Sequence, residues 1–152
     1  MRIGVLSDTH GLLRPEALRA LRGCARIVHA GDVGAPGILE ELRELAPVDA
    51  VRGNVDRGAW AEALPATAVV EVGAVCLYVL HDLAELDLDP VAAGFAAVIS
   101  GHTHQPSSAV RDGVLYLNPG SAGPRRFHLP VTVARVTVSG ARIAAEIVEL
   151  AV

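Results

Sequence analysis

A single α/β domain is the fold that residues 1–152 predict, carrying a second sheet richer in antiparallel strands. Two observations point there. In the first third, near-continuous apolar strands alternate with helix-like segments, the pattern of a parallel sheet covered on both faces. Further on, Gly73-Ala74, Asp112-Gly113 and Ser139-Gly140 each divide a pair of apolar runs, as tight hairpin turns do. No linker, repeat or low-complexity segment interrupts the chain.

The elements follow in order. Arg2–Ser7 reads as a buried strand, and Pro15–Arg22 as a helix with proline in its first turn. Arg26–Ala30 is the second strand. Pro36–Leu45 is a second helix, stopped by Pro47, and Asp49–Arg52 a third strand. Thr67–Val72 and Val75–Leu80 form a hairpin; a short helix around Pro90–Ala93 precedes the strand Ala96–Ser100. Ser107–Arg111 pairs with Val114–Asn118, and Val131–Val138 with Arg142–Leu150.

Composition narrows the function classes. A chain of 152 residues, 51% hydrophobic and 20% charged, supports a packed core. Val72–Leu80, among the longest apolar runs, falls far short of the roughly 18 residues that span a bilayer. The first run, Ile3–Leu6, is cut by Ser7-Asp8 and cannot serve as a signal-peptide core, so the expected location is cytoplasmic. Cys24 and Cys76 share no motif spacing and read as reduced thiols. A net charge of −4 leaves no strong footprint for a nucleic-acid backbone. All 13 basic residues are arginine, which excludes a lysine-bearing phosphate loop and Schiff-base chemistry.

Ligand-type residues stand at the strand ends. Strand one runs into Ser7-Asp8-Thr9-His10-Gly11, strand two into Gly31-Asp32, and strand three into Gly53-Asn54-Val55-Asp56. Val75–Leu80 ends in His81-Asp82, and the apolar run Phe95–Ile99 leads to Gly101-His102-Thr103-His104. Ligands of open α/β sheets bind beyond the carboxyl ends of the strands, so these side chains are expected to converge. Two carboxylates, one amide and four imidazoles are too many donors for one tetrahedral zinc. They suit two divalent ions sharing a carboxylate, an arrangement that hydrolyses phosphate esters. An all N/O set fits manganese, iron, cobalt, nickel or zinc, with manganese placed first.

Asp-x-His, Gly-Asp, Gly-Asn-x-Asp, His and Gly-His-x-His, in this order, resemble the calcineurin-like metallophosphoesterase superfamily. Asn118-Pro119-Gly120-Ser121 followed by Pro124-Arg125, in so short a chain, resembles its small single-domain prokaryotic phosphodiesterases. The resemblance extends from Asp8 to about Arg125. It implies a four-layer α/β/β/α sandwich of two mixed sheets flanked by helices, as one domain over 1–152. It also implies that Asp8, His10, Asp32 and His104 hold one ion and Asp32, Asn54, His81 and His102 the other. Asp32 would be the bridge, and Asp32, Asn54 and His81 the catalytic set. A water between the ions would then attack a small phosphodiester.

Two departures stand out. Many relatives carry a histidine after the asparagine, suited to protonate a leaving group; here Val55 occupies that place, where smaller relatives often have cysteine. His81 is followed by Asp82, where glycine is common, and that carboxylate either orients His81 or faces solvent. Arg125, Arg126 and His128 are candidate substrate contacts or a solvated loop. His29 reads as a strand residue or as a partner behind the metal ligands. Asp56 and Asn118 read as turn formers, and Asp56 alternatively as an arginine partner. Three other functions stay open: a phosphomonoesterase, a hydrolase of another bond, or a non-catalytic interaction scaffold of the same fold. The scaffold lineage lacks a histidine at the place of His81, which this chain keeps. A homo-oligomer is compatible with the sequence.

Overall fold

Two five-stranded sheets lie face to face in the computed structural model, which describes residues 1–152. The first sheet is built from β1 (Arg2–Leu6), β2 (Arg26–His29), β3 (Val48–Ala50), β9 (Thr132–Ser139) and β10 (Arg142–Glu149), in the order β10-β9-β1-β2-β3. The second has the order β4-β5-β6-β8-β7, from β4 (Thr67–Val72), β5 (Val75–Leu80), β6 (Ala97–Ile99), β7 (Ser107–Arg111) and β8 (Val114–Asn118). Helices α1 (Pro15–Leu21), α2 (Pro36–Arg43), α3 (Ala59–Glu62) and α4 (Pro90–Ala93), with a 3₁₀ turn at Leu83–Glu85, complete the chain.

Strand alternation explains the layering, since successive side chains face opposite sides of a sheet. Ile3 and Val5 of β1 and Val28 of β2 face inward to Leu77, Val79, Ile99 and Leu117 of the second sheet, forming the larger core. Their neighbours Leu6 and Ile27 face outward and pack with Ala17 and Leu21 of α1 and Ile38, Leu39 and Leu42 of α2. Fully burying such a side chain stabilises by roughly 1.5–3 kcal/mol, so both interfaces hold the first sheet in place. Beyond the second sheet, Tyr78, Leu80, Val98 and Val114 pack with Leu86, Leu88 and Phe95. The architecture is the four-layer sandwich, with a thin outer layer made of α4 and the 3₁₀ turn.

The expected division between a parallel and a more antiparallel sheet does not hold. Each sheet contains two parallel and two antiparallel pairings. The reason is the last hairpin, which joins the first sheet because β9 pairs antiparallel to β1, matching Ile3 with Val136 and Val5 with Ala134. Element bounds also shift. The third strand is Val48–Ala50 rather than Asp49–Arg52, because Arg52 turns its amide to the Pro65 carbonyl. Helix α2 ends at Arg43, where Glu44 caps it, before Pro47 can act. The short helix α3 is an addition that the sequence pattern did not announce. No helix is long and apolar enough to cross a membrane.

Candidate metal centre

The carboxyl ends of β1, β2, β5 and β6 open toward one region between the sheets. Their loops are stitched together by main-chain hydrogen bonds: Asp8 N–H to Gly31 O (3.0 Å), His10 N–H to Asp32 O (2.9 Å) and Gly101 N–H to His81 O (2.9 Å). Asp8, His10, Asp32, His102 and His104 all adopt left-handed backbone, with φ between 47° and 72°. Such a conformation costs a non-glycine residue on the order of 1 kcal/mol or more and persists only where the surroundings enforce it. Gly53 and Gly101 permit the close approach. A Cβ on Gly53 would fall 2.8 Å from Asp32 Cγ, and one on Gly101 2.7 Å from Asp8 Oδ2.

Each buried carboxylate is anchored by one oxygen and presents the other. Asp8 Oδ2 accepts from the Ser7 hydroxyl (2.7 Å) and the His102 amide (3.1 Å). Its Oδ1 is buried without a hydrogen-bond partner, 3.3 Å from His104 Nε2, 3.6 Å from His10 Nε2 and 3.9 Å from His81 Nε2. Asp32 Oδ1 accepts from the Val55 amide at 3.0 Å. Its Oδ2 faces both His81 Nε2 (3.1 Å) and His10 Nε2 (3.6 Å). Asn54 Oδ1 lies 2.9 Å from His81 Nε2 and 3.2 Å from His102 Nδ1.

Hydrogen bonding fixes the orientation of one imidazole of the cluster. His81 Nδ1 lies 2.7 Å from the Ala30 carbonyl and must donate to it. Its Nε2 then faces only the acceptors Asp32 Oδ2 and Asn54 Oδ1, a position that demands a cation, whether proton or metal. Burial alone would lower His81, but the Asp32 hydrogen bond, the Ala30 carbonyl and the charges of Asp8 and Asp32 outweigh it and raise its pKa. Burial likewise works against ionised Asp32. The His81 hydrogen bond, the Val55 amide and the nearby histidines nevertheless hold its carboxyl below the usual value. His104 is lowered, chiefly by burial; Asp8 pulls it upward, while Arg126 and His10 push it down. Its Nδ1 has no partner, and its Nε2 sits only 3.3 Å from His10 Nε2.

Behind this cluster, His29 is completely buried and neutral. The Gly31 amide donates to its Nδ1 (3.1 Å), so Nε2 carries the proton and donates to Thr9 Oγ1 (3.0 Å), whose hydroxyl donates onward to Val33 O (2.8 Å). Burial is the main reason that its pKa falls to about 3, with the charge of His81 adding to it. Asp56 pairs with no arginine. It accepts three main-chain amides, from Val33, Gly34 and Gly53, and so ties the Asp32 loop to the Asn54 loop. Asp82 turns away from His81; it caps the Ala84 amide and approaches His102 Nε2 at 3.8 Å. Asn118 does more than shape its turn. Its amide donates to Gly101 O and Thr103 Oγ1, bracing the loop that carries His102 and His104.

A cavity of about 480 Å³ beside the cluster is lined by His10, His104, Pro124, Arg125, Arg126 and Phe127. Arg125 is tethered to the Leu129 and Val152 carbonyls, whereas the Arg126 guanidinium has no hydrogen-bond partner. His128 is not part of the lining. Phe127 is, although nothing in the sequence pattern singled it out. Ser7, which holds Asp8, was equally inconspicuous.

The donors fit divalent cations. Asp8 with His10 and His104, and Asp8 with Asp32 and His81, present ligand atoms within 4.8 Å of one another. The Asp8 oxygen left without a hydrogen bond, and histidine nitrogens crowded against each other and against acceptors, are what a cation between them would relieve. A probable metallophosphoesterase from Methanothermobacter thermautotrophicus is 38% identical over 97% of this chain and 92% of its own. Another from Methanocaldococcus jannaschii is 37% identical over 80% of this chain and 68% of its own. Among solved structures, an archaeal phosphodiesterase matches with a TM-score of 0.80 at 23% identity, covering 97% of this chain and all of the other. Vps29 from Chaetomium thermophilum also matches at 0.80, with 18% identity and 97% of each chain covered. The model of the calcineurin-like phosphoesterase superfamily domain matches residues 1–141. With the strand-end Asp/His cluster on the same fold, this chain belongs to the calcineurin-like phosphoesterase superfamily.

Proposed function

We propose that the protein is a dinuclear metal-dependent phosphodiesterase acting on small phosphodiesters. The observation that carries this is a pair of buried carboxylates facing the same two imidazoles, Asp8 Oδ1 at 3.6 and 3.9 Å and Asp32 Oδ2 at 3.6 and 3.1 Å from His10 Nε2 and His81 Nε2, so that two donor sets share carboxylate oxygens. Asp8, His10, Asp32 and His104 would hold one ion and Asp32, Asn54, His81 and His102 the other, manganese being first choice. Divalent ions, when bound, supply Lewis acidity and lower the pKa of a water at the site.

The chain's own contribution is positioning. The Val55 amide fixes one oxygen of Asp32, and the Ala30 carbonyl fixes the ring of His81, so that Asp32, Asn54 and His81 stay aimed at the same point. Arg126, free of protein partners, neutralises the substrate phosphate. Arg125 holds the loop behind it, and the exposed His128, outside the cavity lining, is a secondary contact. Val55, 43% exposed, supplies no proton. The whole chain acts as one domain in the cytoplasm, in keeping with its two free cysteines.

Metal-stripped protein reconstituted with manganese is expected to take up two ions per chain by elemental analysis. It should cleave a bis-aryl phosphodiester faster than the matching aryl phosphomonoester, and Asp32→Asn should abolish both uptake and turnover. A folded protein that binds one ion or none refutes the dinuclear reading, and near-normal turnover by Asp32→Asn refutes the ligand assignment.

A further inference from the structure

The segment Pro124–Pro130, at the rim of the centre, contains an arrangement that folding alone does not favour. Leu129 N–H bonds to Arg126 O (3.1 Å), closing a four-residue turn with Phe127 in its first central position. Phe127 has φ 54°, and His128 does not share that left-handed geometry, so Phe127 occupies the place that glycine takes in a type II′ turn. It is also 85% exposed, more than any other large apolar residue of the chain. A bulky aromatic is thus held in glycine's conformation with its ring in water, which costs on the order of 1 kcal/mol or more. The neighbours are tied down: Arg125 reaches Leu129 O and Val152 O, Arg14 Nε donates to Gly123 O (3.0 Å), and Ser121 Oγ bonds Asp8 O and Pro124 O (both 3.2 Å). The turn is therefore fixed relative to Asp8 itself.

We propose that Phe127 is a stacking platform and Arg126 the anionic clamp of a substrate subsite, and that the natural substrate is a phosphoester bearing a planar aromatic group. This rests on the phosphoesterase reading above and narrows its substrate class. Phe127, Arg126, His10 and His104 line one cavity of about 480 Å³, within the range that encloses small ligands. A phosphoryl group beside His10 and His104 would meet the free guanidinium of Arg126. A ring attached to it would lie toward Phe127, gaining stacking and dispersion that an alkyl group of similar length cannot match. Exposure of the ring in the free protein is what such a platform requires.

Titration calorimetry of the metal-loaded protein with benzylphosphonate, propylphosphonate and inorganic phosphate tests this. The wild type is expected to bind benzylphosphonate about tenfold more tightly than propylphosphonate, the scale of one aromatic stacking contact. Phe127→Ala should bring that ratio to about one and leave inorganic phosphate unchanged, whereas Phe127→Trp should keep the ratio. Arg126→Ala should weaken all three ligands together. Phe127→Gly should lose the aromatic preference while melting no lower than wild type, since glycine suits the turn; a merely structural Phe127 would melt lower. A wild-type ratio near one, or a preference that survives Phe127→Ala, overturns the subsite while the phosphoesterase reading stands. Failure of all three ligands to bind overturns both.

Discussion

Asp56→Asn is expected to destabilise the metal-free protein by about 3 kcal/mol, although Asp56 touches no ligand-type side chain. In the native site Oδ2 accepts the amides of Val33 (3.2 Å) and Gly53 (2.9 Å), and Oδ1 accepts that of Gly34 (2.9 Å). An asparagine can turn its single carbonyl toward the first pair. Its NH₂ then faces the Gly34 donor, leaving that part-buried amide without its acceptor, worth roughly 1–3 kcal/mol, and two bonds without charge assistance. At this chain length the melting temperature should fall by about 6–12 °C. Thermal and urea unfolding measure the loss; metal titration then reads the loosening of the Asp32 and Asn54 loops as weaker uptake. The control is Asp49→Asn, which breaks a shorter contact, Arg26 to Asp49 at 2.6 Å. That pair is about one-third exposed on each side, and its loss should cost under about 1 kcal/mol. If Asp56→Asn is no more destabilised than Asp49→Asn, the argument that the three amides depend on a buried carboxylate is wrong.

Gly53→Ala places a Cβ against the Asp32 carboxylate and is expected to cost about 1–3 kcal/mol and to impair metal uptake. Gly37→Ala in α2 has nothing within 4 Å and should be neutral or stabilising; equal effects of the two would refute the steric reading. Because burial holds His29 at a pKa of about 3, the unfolded chain binds one more proton than the folded one between about pH 6.5 and 3. Stability of the metal-free protein should fall as pH falls through that window, by a limiting amount on the order of 4 kcal/mol. His29→Asn keeps an acceptor for the Gly31 amide but cannot titrate, so an unchanged pH slope in this variant would refute the assignment. With Val55 unable to donate a proton, rates across a phosphodiester series should fall steeply with leaving-group pKa. Val55→His should help the poorest leaving groups most, by about 10²-fold; a shallow slope in the parent protein would mean that another residue donates.

The strand-end positions of Asp8, Asp32, His81, His102 and His104 were legible because each follows an apolar run that could only be a strand, and strand order brings such ends together. The same periodicity gave α1, α2 and the hairpin strands to within a residue or two. The destination of the last hairpin was not legible: an alternating strand is equally suited to either sheet, and pairing of β9 with β1 is decided by the packing of both cores. The left-handed backbone at Asp8, His10 and Asp32 was hidden as well, since local preference argues against it and only the interlocked loops impose it. Asp56 reads as an ordinary turn residue until its three amide partners are seen, and Asp82 as a neighbour of His81 until its carboxylate is found nearer His102.

Five residues of the centre sit in backbone that glycine would occupy more comfortably. Mutation at those positions is therefore biased: glycine, and to a lesser degree asparagine, relaxes the fold while deleting a donor. In a lineage that had ceased to use the site, drift would run downhill in free energy toward an inert, better-behaved protein. Two aspartates and three histidines hold those five positions in this chain, each at a backbone cost that folding stability alone does not favour.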